Sequence, residues 1–286
     1  MTTKVTITGS GYPAPSATRA GPGVLIEANG FALQFDAGRS TVLRLTSAGI
    51  AMADLDAVFV THHHSDHLTG LADIVLTRWV VDTDDGVPAL RIVCPAGPAE
   101  VFLQRMLDPW EHDLAVRSRH SGRPTRPRIE MVAFECADGP TLVWQEGEVT
   151  VRAAEVRHEP VSPAVGYRIE TPDGVVAISG DTLVCDEVAG LAAGAQVLVH
   201  EAMLFEVIAQ RPPANHFIMD YHADSRLLGR QAHELGVETL ILVHLVPEPT
   251  SAEVRKAYVD NVRAGGFAGD LLIADDLDVV VLGRGD

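Results

Sequence analysis

Cysteine is scarce: the 286 residues contain only Cys94, Cys136 and Cys185, far apart and in no C-x-x-C pair. That distribution argues against a disulfide framework or a cysteine-rich zinc site, and makes a reducing cytoplasm the expected compartment. Positive charge is also in deficit. Against 39 acidic residues stand 22 Lys and Arg, a net charge of −17. Proteins that grip phosphate backbones normally carry a basic footprint, so nucleic acid is not the expected partner. No stretch approaches the roughly 20 uninterrupted apolar residues of a membrane span, so no membrane partner is expected. The first ten residues alternate like a strand and lack the basic, apolar and small-residue regions of a secretory leader. Repeats, heptads and low-complexity tracts are missing too.

A hydrophobic content of 47% with 21% charge is ordinary for a globular chain with a sizeable core. Gly23–Glu27 and Phe31–Asp36 read as strands joined by Asn29-Gly30, a strong hairpin signal. Ala57–Val60, Leu90–Cys94, Thr141–Trp144, Val149–Val156, Gln196–Val199 and Thr239–Val243 are further strand candidates. A second hairpin pairs Ala164–Glu170 with Gly174–Ser179. Helical spacing runs through Thr41–Ala48, Leu68–Val81, Ala99–Leu107, Ser225–Leu235 and Ser251–Ala264. Strands in both halves, helices between them and no linker predict one α/β domain over residues 1–286, two sheets face to face under helices.

The segment that carries chemistry is Ala57-Val-Phe-Val-Thr-His62-His63-His64-Ser65-Asp66-His67-Leu68. A buried strand ends here and a helix begins, so the polar residues fall on the connecting loop. His62, His64, Asp66 and His67 can converge on one space, and imidazole nitrogen with carboxylate oxygen is the donor set zinc takes. The bland alternative is a capped helix with surface histidines, which four histidines and one aspartate in six residues fit poorly. Three further candidates stand at other strand ends: His158 after Val149–Val156, Asp181 after Gly174–Ser179, and His244 after Thr239–Val243. Alone, each reads as an ordinary polar residue. Together they complete two sites, His62, His64 and His158 on one metal, Asp66, His67 and His244 on the other, with Asp181 bridging.

This pattern resembles the metallo-β-lactamase superfamily, whose H-x-H-x-D-H signature stands here as His62 to His67. The resemblance implies an αββα sandwich with two Zn2+ ions at one edge, Mn2+ or Fe2+ being alternatives. It also makes Asp36, in Phe35-Asp36-Ala37-Gly38, a buried brace of the metal loop. Asp181 occupies the position of the cysteine of true β-lactamases, which argues against antibiotic hydrolysis. Within the superfamily, Thr8-Gly-Ser-Gly-Tyr-Pro-Ala-Pro and Arg19-Ala-Gly-Pro look like the start of the ribonuclease Z group and its arylsulfatase relatives. His200-Glu201-Ala202-Met203 resembles that group's His-Glu-Ala-Thr motif, and His222-Ala223-Asp224 its His-Ser-Thr motif. By that resemblance Glu201, His222 and Asp66 join the catalytic set, His222 and Glu201 protonating the leaving group. The structural alternative for His222 is a residue beside the helix cap Asp224. One departure counts against tRNA: the group's long Gly/Pro-rich arm has no room in the 23 positions between His158 and Asp181, which a hairpin fills.

Two such metals lower the pKa of water, and the hydroxide held between them is expected to attack phosphorus, sulfur or an acyl carbon. The expected substrate is a small anionic ester, a phosphodiester or aryl sulfate. The alternatives are a lactone or other carboxylic ester, precursor tRNA, and no reaction at all in a metal-stabilised binding module. A homodimer is compatible with this reading. Five arginines between Arg117 and Arg128 (positions 117, 119, 123, 126 and 128) depart from the acidic trend. They form either a solvated loop or a lip near the metal rim that draws in anions, and Gly122, Pro124 and Pro127 argue against regular structure there.

Overall fold

A computed structural model describes residues 2–84, 86–122, 126–137 and 139–283. The first sheet takes β1 (Thr3–Gly9), β2 (Gly23–Ala28), β3 (Phe31–Phe35), β4 (Ala57–Phe59), β5 (Leu90–Pro95) and β6 (Ile129–Phe134). The second takes β7 (Thr141–Glu146), β8 (Val149–Glu155), β9 (Val165–Thr171), β10 (Gly174–Ile178), β11 (Val197–Met203), β12 (Thr239–Val246) and β13 (Asp270–Ile273). The chain then returns as β14 (Val279–Leu282), so the orders are β14-β1-β2-β3-β4-β5-β6 and β13-β12-β11-β10-β9-β8-β7. The β2–β3 turn has positive φ at both Asn29 and Gly30, the geometry that its sequence favours.

Helices α1 (Thr41–Ser47), α2 (Ser65–Leu68), α3 (Leu71–Val81), α4 (Pro98–Arg105) and α5 (Glu111–Ser121) belong to the first half. The second half carries α6 (Asp186–Ala192), α7 (Phe205–Ile208), α8 (Ser225–Glu234) and α9 (Ala252–Ala264). Three apolar layers glue the stack. Val5, Ile26, Phe35 and Phe59 of the first sheet meet Val151, Tyr167, Ile169 and Ile241 of the second between the sheets. Leu45, Leu71, Ile74 and Leu103 cover the outer face of the first sheet, and Leu191, Leu228, Tyr258 and Val262 that of the second. Helix, sheet, sheet and helix thus form a single-domain αββα sandwich. Among the described residues, no helix is long and apolar enough to cross a membrane.

Two expectations change. Leu68–Val81 is split between two helices, with Leu68 ending α2 and Leu71–Val81 forming α3 after Gly70, where a Cβ would lie 2.2 Å from the Gly38 carbonyl oxygen. The Arg-rich stretch is regular as far as Ser121: Arg117 and Arg119 lie on α5, with Gly122 as its left-handed stop. Arg123 and Pro124 lie outside the described residues.

Candidate metal centre

The strands that lead to the site point the same way. β4, β10, β11 and β12 have parallel partners, and β8 shares the direction of β10 through the antiparallel β9. The residues that follow or end them therefore collect on one edge, as in other open α/β sheets. His62 and His64 follow β4, and Asp66 and His67 form the first turn of α2. His158 follows β8, Asp181 follows β10, and His244 lies in β12 with φ +49°. All seven sequence candidates come together.

Two groups have donor atoms within 4.8 Å of one another: His62, His64, His158 and Asp181, and Asp66, His67 and His244. Asp181 joins them. Its Oδ2 lies 3.3 Å from His244 Nε2, 3.4 Å from His67 Nε2, and 4.0 Å from both His62 Nε2 and His158 Nε2. His158 Nε2 is 3.3 Å from His64 Nδ1, and Asp66 Oδ2 is 3.4 Å from His244 Nε2. A tetrahedron with metal–ligand bonds near 2.0–2.1 Å has edges of about 3.3 Å, so the spacing suits a cation.

The hydrogen bonds set which nitrogen is free. Asp36 Oδ2 accepts from His67 Nδ1 at 2.7 Å and from the Thr61 hydroxyl at 2.8 Å. Thr61 Oγ1, its proton committed, accepts from His62 Nδ1 at 2.9 Å. The Tyr221 carbonyl accepts from His158 Nδ1 at 3.0 Å. Each of these imidazoles therefore commits its Nδ1 outward and turns its Nε2 inward, the arrangement typical of metal-ligating histidines. Thr61 and the Tyr221 carbonyl escaped the sequence reading; only the position of Thr61 directly before His62 hinted at its part.

Four of the inward atoms lack a hydrogen-bond partner. His62 Nε2, Asp66 Oδ2, His67 Nε2 and His244 Nε2 are buried without a hydrogen bond. Leaving a buried polar atom unsatisfied costs about 1–3 kcal/mol, and four in one place call for a cation. Protonation agrees. Burial, with neighbouring imidazoles, holds His62 well below its ordinary value and His64 near 4, and burial lowers His158. Burial also opposes charge on His67, but the carboxylates of Asp181 and Asp36 outweigh it and raise this histidine well above the ordinary value. A divalent cation would supply the positive charge that these carboxylates otherwise draw from a proton. The residues fit metal ions.

Next to this cluster stands an acid–base pair. His222, just ahead of the α8 cap Asp224, has Nδ1 2.7 Å from Oε1 of Glu201 in β11. The same oxygen accepts from the Thr182 backbone N–H at 2.9 Å. Burial lowers the His222 pKa, but the charge and hydrogen bond of Glu201 outweigh it and lift the value to about 9. Asp181, His222 and His244 also form a group within 4.8 Å, so His222 has the place of either an acid or an extra ligand.

Residues 30–245 match the family model described as a beta-lactamase superfamily domain. The chain belongs to the beta-lactamase superfamily. A protein named ribonuclease Z from Mycobacterium bovis (strain BCG / Pasteur 1173P2) is 36% identical over 278 residues, 96% of each chain. Its namesake from Mycobacterium sp. (strain KMS) is 38% identical over 275 residues, 96% of this chain and 94% of that protein. Among solved structures, the metallo-beta-lactamase fold protein YhfI from Bacillus subtilis superposes with a TM-score of 0.74 at 21% identity, covering 98% of this chain and 100% of that one. Human tRNase Z, short form, gives 0.71 at 20% identity with the same coverage. As a member of this superfamily the chain is a metal-dependent hydrolase acting on ester bonds.

The arginine segment takes no part in the rim at its far end. Arg128 precedes β6 and its carbonyl accepts from Leu90 N–H at the start of β5, whereas the metal loop leaves the opposite end of the neighbouring β4. Arg128 pairs with Asp82, Arg126 with Glu111, and Arg117 with Asp113 one turn back on α5. For these three arginines, neighbouring carboxylates meet the charge that the lip reading reserved for substrate.

Proposed function

We propose that this superfamily member is a binuclear zinc phosphodiesterase acting on a small ester. The observation that carries the reading is Asp181 Oδ2, within 3.3–4.0 Å of four imidazole nitrogens that belong to two ligand groups. His62, His64 and His158 would hold one ion, Asp66, His67 and His244 the other, and Asp181 is placed to serve both. When bound, the ions supply positive charge for the ester oxygens and make hydroxide available near neutral pH. The protein's own contribution is positional and acidic. Asp36 and Thr61 lock the ligand tautomers, and the His222 nitrogen not held by Glu201 is left to give its proton to the departing oxygen. General acid catalysis of this kind is worth about 10²–10⁴-fold, and the Glu201 carboxylate against His222 Nδ1 favours the protonated form of His222.

Phosphorus is preferred over sulfur or an acyl carbon because the relatives at 36–38% identity are named ribonuclease Z, which act at phosphodiesters. The same likeness favours a second reading, processing of precursor tRNA at its 3′ end. Against it stand the net charge of −17 and the short β9–β10 hairpin between His158 and Asp181, which leaves no arm for gripping tRNA. Turnover of bis(4-nitrophenyl) phosphate, 4-nitrophenyl sulfate and a set of lactones by metal-loaded protein separates the chemistries. Faster turnover of the sulfate or a lactone would overturn the phosphodiesterase reading, and specific 3′ cleavage of precursor tRNA would replace the small substrate.

A further inference from the structure

Resting on that reading, we propose that Phe217 and Tyr221 form a shelf beside the metal cluster that takes a planar aromatic ring of the phosphate ester. The rings step outward from the ligands. Tyr221 meets His158 edge-on at 5.2 Å between centroids and His222 at 4.8 Å, and Phe217 stands 6.1 Å beyond Tyr221. These separations lie in the range of attractive aromatic pairs. Phe217 is 57% exposed. A lone exposed phenylalanine is ordinary; one joined by a single ring to both a metal ligand and the acid is placed for substrate.

The segment that presents it is anchored without it. Phe217 belongs to a 3-10 stretch, Pro213–Asp220, whose Ile218 and Met219 pack on Met203, Ile208 and Val246. Tyr221 is fixed through its carbonyl, which accepts from His158 Nδ1. The shelf is therefore rigid at its inner end and open at its outer one. Charge makes stacking more valuable here: a chain at −17 repels an anionic ester at long range, so contact with an uncharged ring supplies affinity that the field does not. Either an aryl ester or a nucleoside ester would bring such a ring.

The test measures binding rather than turnover. Phenyl phosphate, adenosine 5′-monophosphate and methyl phosphate are titrated calorimetrically into metal-loaded wild type, Phe217→Ala and Phe217→Trp proteins. The wild type is expected to bind both aromatic probes more tightly than methyl phosphate. Phe217→Ala should cost those probes on the order of fivefold or more, within the range of lost base–aromatic stacks, and leave methyl phosphate unchanged, while Phe217→Trp restores the difference. A larger advantage for the nucleotide assigns the shelf to a base, and a larger one for phenyl phosphate to an aryl group. No aromatic advantage in the wild type, no binding of either aromatic probe, or an advantage indifferent to Phe217→Ala would overturn the proposal. Failure of the protein to hydrolyse phosphodiesters, with the ring preference intact, would sink the reaction and spare the shelf.

Discussion

Oδ2 of Asp36 sits 2.7 Å from Nδ1 of His67, and the same oxygen reaches His62 through the Thr61 hydroxyl. One buried carboxylate thus sets the tautomer of a ligand in each metal group. Outer partners of this kind are typically worth 10–100-fold in metal affinity or activity. Asp36→Ala should weaken zinc binding by about that factor in a chelator competition assay. Wild-type affinity would show that the ligands hold their orientation without it.

His222 and Glu201 are expected to act as a unit. His222→Ala should slow esters with poor leaving groups by about 10²–10⁴-fold and nitrophenyl esters far less, since nitrophenolate hardly needs a proton. An equal loss across leaving groups, with metals retained, would contradict the acid role. The pH profile carries a sign. A raised histidine is protonated below its folded pKa and loses its proton as pH rises through about 9, so the acid function fades on the alkaline side. Glu201→Gln removes the carboxylate that raises it and should move the alkaline limb of kcat to lower pH; an unmoved limb would assign that limb to another group.

Gly21, Gly38 and Gly70 let backbones cross beneath the metal loop. A Cβ on Gly38 would lie 2.4 Å from the Gly21 carbonyl carbon and 2.6 Å from the Asp66 carbonyl oxygen. No side-chain rotation relieves a clash with backbone. Gly38→Ala should cost at least the roughly 1–3 kcal/mol of ordinary overpacking, seen as a lower urea midpoint. An unchanged midpoint would mean that the loop yields easily.

Neutralising Arg126 and Arg128 should leave the Michaelis constants of anionic esters unchanged, because Arg128 sits at the sheet edge away from the metals and both pair with acids. A rise confined to anionic substrates would restore the lip.

The site was more legible than the frame around it. Histidines and aspartates at strand ends stand out because loops at the carboxyl edge of parallel strands need no such residues for packing. Asn29-Gly30 announced its hairpin because few other pairs tolerate two positive φ angles. By contrast, β14 is only Val279–Leu282, and its place beside β1 depends on a partner nearly the whole chain away. Helix α5 hid behind its arginines: a mostly exposed helix burying little beyond Leu114 shows scarcely any apolar stripe. The bond from the Thr61 hydroxyl to Asp36 and the one that the Tyr221 carbonyl accepts from His158 are tertiary, and local sequence does not mark these pairings.

The central claim is that two metal ions, bridged by Asp181, make this fold a hydrolase. Chelator-stripped protein titrated with zinc, while bis(4-nitrophenyl) phosphate turnover is followed, tests it most directly. Activity is expected to be absent at the start and to reach its plateau at two equivalents per chain. Turnover that survives stripping, or a plateau at one equivalent, would contradict it.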